Sequence, residues 1–266
     1  GPAMSAPAEL VHLDVAHDVA TITLDSPGNR NALSLQLQRE LDAHLATAIA
    51  TDQVRVVVLT HAGPVFCSGI ELTEPNGDQP DDTFGMRMLL RILTRIWDSP
   101  KPVIARVAGS ARAGGVALVA ACDIAVATKD ATFAFNEVRI GVVPALISVT
   151  VLPRLLPRAA HEFFLTGEAF RGRQAVEIGL VNSTVPAFEL DAEVRRYIDA
   201  LRKAAPGAVA ATKRLLRHQH RNGLDDELTD MLTLSVLSFT SEEGREGVAA
   251  FLGKRLPTWA APPTPG

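Results

Sequence analysis

Two runs, "VRVVVLT" at 54–60 and "PVIARV" at 102–107, are almost unbroken stretches of β-branched and aliphatic residues. A strand with one solvated face alternates apolar and polar residues, whereas a continuous run needs cover on both faces, as in parallel sheets flanked by helices. Between the two runs, Met86 to Trp97 is apolar at helical spacing. The chain is therefore expected to be α/β.

The rest of the chain extends that pattern. "VHLDVAHDVATITL" (11–24) alternates in two short runs around His17-Asp18, which predicts a β-hairpin. Ser34 can cap a helix in which Leu37, Leu41, Leu45 and Ile49 recur every fourth residue. Strands are expected at 122–128, at 131–135 and at 180–185, the last after a helix that Gly179 would terminate. From Leu190 onward the patterns are helical, over 190–204, 206–221, 224–238 and 242–252. With 266 residues, 47% of them hydrophobic, one sizeable core is expected. We divide the chain into an α/β core at 5–189 and a helical region at 190–266 that packs on the core and on neighbouring subunits. Residues 1–4 read as a cloning remnant up to a natural Met4.

Several classes of function are disfavoured. The formal charge of -4, from 26 basic and 30 acidic residues, includes no basic run that could neutralise a row of phosphates, which argues against nucleic acid. Only ten residues separate Arg112 from Asp123, against the roughly 20 that a spanning helix needs, so no membrane is expected. Cys67 and Cys122 form no CxxC, and no charged and apolar leader follows Met4, so a reducing cytoplasm is the expected setting. GxGxxG and GxSxG are both absent. His218 and His220, two apart on an expected helix, face different ways and make a poor metal pair.

The chemistry is sought in "RVAGSARAGGVALVAACDIAVA" (106–127), an apolar stretch interrupted by arginines, paired glycines and an aspartate. Gly109 to Gly115 and Pro64 to Ile70 share one logic: a strand ends, small residues follow and a helix begins. Backbone N–H groups at two such turns could converge on one oxygen and stabilise negative charge there. Against this stands the simpler reading that Gly114-Gly115 only permits tight packing.

In order and spacing, these segments resemble the enoyl-CoA hydratase/isomerase, or crotonase, family from about Val11 to Trp259. The resemblance rests on "RNALS" (30–34), "FCSGIEL" (66–72), "AGSARAGG" (108–115), "FAFNEVRIGVVP" (133–144), "LTGE" (165–168) and "AVEIGLV" (175–181). It implies a spiral of ββα units with a C-terminal helical trimerisation region, and a homotrimer or dimer of trimers. It also implies an acyl-CoA substrate, as in fatty-acid or branched acyl catabolism, with CoA carried as part of the substrate and no separate cofactor. By motif position, the N–H groups of Ile70 and Gly114 would hold the thioester oxygen. Arg30, Ala32, Ser68, Gly69, Ile70 and Leu72 would line the CoA moiety, with Arg30 meeting a phosphate.

Hydratases of the family hold a water between two glutamates. Here the first position is Ala117, while the second is present as Glu137. A methyl group cannot move a proton, so a single-glutamate mechanism resembles the isomerase branch, and apolar neighbours such as Phe133, Phe135, Val138 and Ile140 would raise the base toward neutrality. The plain alternative for Glu137 is an ion pair with Arg139. Glu71 or Glu74 could supply a second acid for hydration. Loss of the first glutamate is also compatible with a non-catalytic acyl-CoA-binding homologue.

Overall fold

The computed structural model describes residues 6–72, 85–217 and 224–260. The expected hairpin forms from β1 (Val11–Ala16) and β2 (Val19–Leu24), paired antiparallel around His17 at φ 56°. Helix α1 (Leu35–Ala50) follows, with the Ser34 hydroxyl accepting the Leu37 N–H at 3.2 Å and Leu37, Leu41 and Leu45 fully buried.

The chain then repeats one unit. Strands β3 (Val56–His61) and β4 (Val65–Cys67) precede helix α2 (Met86–Asp98). Strands β5 (Val103–Val107) and β6 (Ser110–Arg112) precede helix α3 (Gly114–Ala121). Strands β7 (Ile124–Thr128) and β8 (Thr132–Ala134) open the next unit. Helices α4 (Ala145–Val151), α5 (Pro157–Thr166) and α6 (Gly172–Glu177) follow, with β9 (Phe170–Arg171) between the last two and β10 (Ser183–Val185) after them.

The first strand of each unit joins a six-stranded sheet in the order β1-β2-β3-β5-β7-β10, and the second joins a four-stranded sheet in the order β4-β6-β8-β9. Each turn of chain thus advances one place in both sheets, which makes a spiral. The strand expected at 180–185 narrows to Ser183–Val185, because Leu180 and Val181 are buried in the core and Asn182 bonds Ala125 through both backbone and side chain.

The reading in which 64–70 and 109–115 pass directly from strand to turn needs correction, since β4 and β6 lie within these segments. Three residues are too few to show a period in sequence. They are held by their neighbours, as in the pairing of Ala111 with Phe133.

Continuous apolar strands have both faces covered, as expected. Val57, Leu59, Val103 and Ala105 face the main core, while Val56, Val58, Ile104 and Val126 meet Leu190 and Val194 of α7 (Leu190–Arg202). Each of these valine, leucine and isoleucine side chains contributes about 1.5–3 kcal/mol by burial. Helices α8 (Pro206–Arg217), α9 (Leu224–Thr240) and α10 (Glu242–Leu252) complete the chain. Leu228, Leu232 and Phe239 of α9 and Val248 of α10 lie in the main core, and α9 packs on both α2 and α4. His218 and His220 lie outside the described residues. No helix among the described residues is long and apolar enough to cross a membrane.

Candidate active site

Two turns meet beside the small sheet. After β4, Gly69 adopts φ +91°, a conformation that side chains disfavour; a Cβ there would lie 3.0 Å from the Arg112 carbonyl oxygen and 3.3 Å from Gly114 N. The "RNAL" segment braces this turn. Arg30 and Asn31 both take left-handed backbone, at φ 59° and 53°. Arg30 O accepts Ser68 N–H at 3.1 Å, and Leu33 N–H donates to Gly69 O at 2.9 Å. Asn31 is fully buried, and its amide donates to the carbonyls of Ala62 and Val65 at 3.1 and 2.8 Å while accepting Ser26 N–H at 2.7 Å.

After β6, Ala113 stands at φ 47°, ψ -117° and turns the chain into α3. The two glycines that follow serve different ends. A Cβ on Gly115 would overlap the Cys67 carbonyl oxygen, so Gly115 answers to packing. Gly114 instead faces a cavity, with a Cβ there 2.9 Å from Leu33 Cδ1 and 3.2 Å from Leu89 Cδ2. Among the described residues, neither Ile70 N–H nor Gly114 N–H has an acceptor.

Glu137 enters the cavity wall from a one-turn helix, Asn136–Ile140, that follows β8. Its backbone is pinned by Val142 N–H, which donates to Glu137 O at 3.0 Å. Its side chain is buried and Oε2 has no hydrogen-bond partner among the described residues. Burial pushes the carboxyl up from 4.5 to about 7, partly opposed by a hydrogen bond from its own backbone N–H. Of the apolar neighbours expected for it, Ile140 shares the cavity wall, while Phe133 and Phe135 are fully buried in the core. Arg139 turns away and donates to Thr166 O at 2.9 Å, so the ion-pair alternative for Glu137 fails.

The cavity measures about 640 Å³ and brings together Arg30, Ala32, Ser68, Ile70, Leu72, Gly114 and Glu137. Gly69 is buried behind its wall rather than on it. Glu71 is exposed and also lines it. Glu74 lies outside the described residues. Ala117 is fully buried within α3 and is not on the wall; its carbonyl accepts the Thr150 hydroxyl at 3.1 Å.

The sequence reading missed Arg112 and Asn136 as wall residues, and also Ser235, Phe239 and Phe251, which the C-terminal helices deliver. Arg112 was visible as an odd charge in an apolar stretch, whereas nothing in the helical pattern of 224–252 marked the others. A second cavity of about 660 Å³, beside α2 and α9, holds none of the turn residues and no buried carboxyl. Size does not separate the two; the unpaired N–H groups and Glu137 mark the first. No group of three metal-ligating side chains occurs among the described residues.

Such an arrangement can hold an oxygen against two backbone donors and move a proton nearby. The profile of the enoyl-CoA hydratase/isomerase family matches residues 14–262. Carnitinyl-CoA dehydratase from Proteus mirabilis is 32% identical over 260 residues, spanning 95% of this chain and 98% of that protein. Rat enoyl-CoA hydratase domain-containing protein 3, mitochondrial, is 32% identical over 91% of this chain and 81% of its own length. The crystal structure of an enoyl-CoA hydratase from Mycobacterium avium superposes with a TM-score of 0.86 at 40% identity, covering 96% of this chain and all of that one. From the ordered motifs, the double-sheet spiral and these similarities together, the chain belongs to the enoyl-CoA hydratase/isomerase family and is an enzyme of that class.

Proposed function

We propose that the protein shifts the double bond of a 3-enoyl-CoA thioester, with Glu137 as the acid–base group. The observation that carries this reading is the Glu137 carboxyl, buried on the cavity wall with Oε2 unbonded and held at about 7. A group poised near neutrality can both take and return a proton. The thioester oxygen accepts the N–H groups of Ile70 and Gly114. Glu137 removes a proton from C2, giving a dienolate whose charge rests on that oxygen. The same carboxyl returns the proton at C4, the double bond moves to C2–C3 and the carbonyl re-forms. Nothing is gained or lost overall, which suits a site with Ala117 at the position of the family's first catalytic glutamate. Arg30, Ala32, Ser68 and Leu72 line the path of the CoA moiety.

The test records the ultraviolet absorbance of the conjugated enoyl thioester while enzyme is added to a 3-enoyl-CoA or a trans-2-enoyl-CoA, with Glu137→Gln alongside. A Glu137-dependent rise with the first supports isomerisation. A fall with the second means hydration by Glu137 alone or with Glu71 or Glu74. No change with either, across several chain lengths, turns the assignment to a non-catalytic acyl-CoA-binding protein.

Exposed Leu215, Leu216, Leu237 and Leu252 on the C-terminal helices support assembly into a homotrimer or a dimer of trimers, which sedimentation would read directly. Two buried free thiols, Cys67 and Cys122, are compatible with a reducing cytoplasm.

A further inference from the structure

Arg112 ends β6 two residues before Gly114 and lines the same cavity. Its guanidinium is partly buried, and all its hydrogen bonds end on neutral oxygens. Nη1 donates to the carbonyls of Ala111 and Thr132 at 3.0 and 2.9 Å, and Nη2 donates to the Thr132 hydroxyl at 3.0 Å. Among the described residues no carboxylate pairs with it and Nε has no acceptor. Arg95, Arg106, Arg202, Arg217 and Arg255 each face an aspartate or glutamate, and Arg55 and Arg154, whose hydrogen bonds also end on carbonyls, lie away from this cavity, whereas Arg112 lines it.

A cation withdrawn from water without a counter-charge is costly, and burial accordingly lowers the Arg112 pKa. The three neutral contacts fix the plane of the guanidinium against β8 and leave its charge uncompensated. The charge is explained if the counter-ion arrives with the ligand.

We propose that Arg112 is an anion-receiving residue of the cavity, pairing with a negatively charged group of the bound thioester, either a phosphate of CoA or a carboxylate borne by the acyl group. This rests on the acyl-CoA reading above. Arg112 then selects ligands by charge and, in the second case, makes the substrate a dicarboxylic acyl thioester.

Calorimetric titration distinguishes the sources with four unreactive ligands: butyryl-CoA, glutaryl-CoA, and the butyryl and glutaryl thioesters of pantetheine, which lack phosphates. Arg112→Gln and the charge-retaining Arg112→Lys are compared with wild type. Loss of a charge-assisted contact should weaken binding about ten-fold or more. If Arg112→Gln weakens both CoA thioesters that much and leaves both pantetheine thioesters within about two-fold, the anion is a CoA phosphate. If it weakens only the glutaryl ligands, the anion is the acyl carboxylate. In either case Arg112→Lys restores part of the loss.

Equal effects on all four ligands would mean that Arg112 only supports the wall, and the proposal falls, as it does if none is affected. Failure of wild type to bind any of the four overturns this assignment together with the acyl-CoA reading.

Discussion

A methyl group added to Gly247 would overlap the carbonyl oxygen of Ile140, so closely does α10 lie on the one-turn helix that carries Glu137. The C-terminal helix thereby sets how deep the proposed base sits. Gly247→Ala must push α10 and Asn136–Ile140 apart and should cost about 1–3 kcal/mol, as overpacking does. Turnover should fall with it, since Glu137 moves relative to the two turns. Gly207→Ala, where an added Cβ meets nothing within 4 Å, is the control; it should leave turnover unchanged and hold stability or raise it by up to about 1 kcal/mol, as replacing a helical glycine does. Urea melts and kcat for both variants check this; a Gly247→Ala protein with wild-type stability would show that the contact is soft.

Glu137 can act as a base only when ionised, and burial holds it neutral up to about pH 7. The kcat/KM for a 3-enoyl-CoA should therefore rise with pH and level off above about 7. Stability should run the other way. An unfolded glutamate releases its proton near its ordinary 4.5, so between 4.5 and about 7 the folded state binds the more protons and loses stability as pH rises. The accumulated loss is of order 3 kcal/mol above pH 7. Glu137→Gln should be about 100-fold or more slower, yet more stable than wild type at pH 8, with the gain gone at pH 4. Melting at the two pH values decides it.

What could be read from sequence divides along physical lines. Val56–His61 and Val103–Val107 announce themselves because burial on both faces writes a continuous apolar run. Glu137, Ile70 and Gly114 are legible because local turn chemistry and motif order survive without tertiary information, and they share one cavity wall. The raised pKa of Glu137 was anticipated in direction, but its cause, burial of the carboxyl, depends on how the chain closes around the cavity. Ser235 and Phe239 sit in an ordinary helical pattern roughly a hundred residues after Glu137, and only packing of α9 on α2 and α4 turns them into cavity wall. Strands β4 and β6 escaped because three residues carry no readable period.

Ala113 holds φ 47°, ψ -117°, a region natural for glycine and strained for alanine. That strained residue turns the chain from β6 to Gly114 on the cavity wall. Ala113→Gly should relieve about 1–3 kcal/mol of it, offset by about 0.4–1 kcal/mol of extra freedom in the unfolded chain. A net gain of about 1 kcal/mol is expected from chemical denaturation, and Ala113→Val should lose stability. A destabilised Ala113→Gly protein would mean the turn is unstrained.

Lys213 tests how firmly the C-terminal helices are tied to the core. Its buried ammonium on α8 donates to the carbonyls of Ile96 and Lys101 at 3.1 and 3.2 Å and pairs with Asp123 Oδ2 at 2.8 Å. The same Asp123 oxygen accepts Val103 N–H at 2.8 Å, so one cation joins α8 to the end of α2, the start of β5 and the entry to β7. Removing only the cation strands a carboxylate, which costs about 3–5 kcal/mol in a fully buried pair. Asp123 retains 26% side-chain exposure and its Val103 contact, so Lys213→Met should cost less, about 2 kcal/mol. Adding Asp123→Asn should recover part of that loss, because the stranded charge is gone while the Val103 N–H keeps an acceptor. A double variant as unstable as the sum of the two single ones would mean that Lys213 acts through its carbonyl contacts alone.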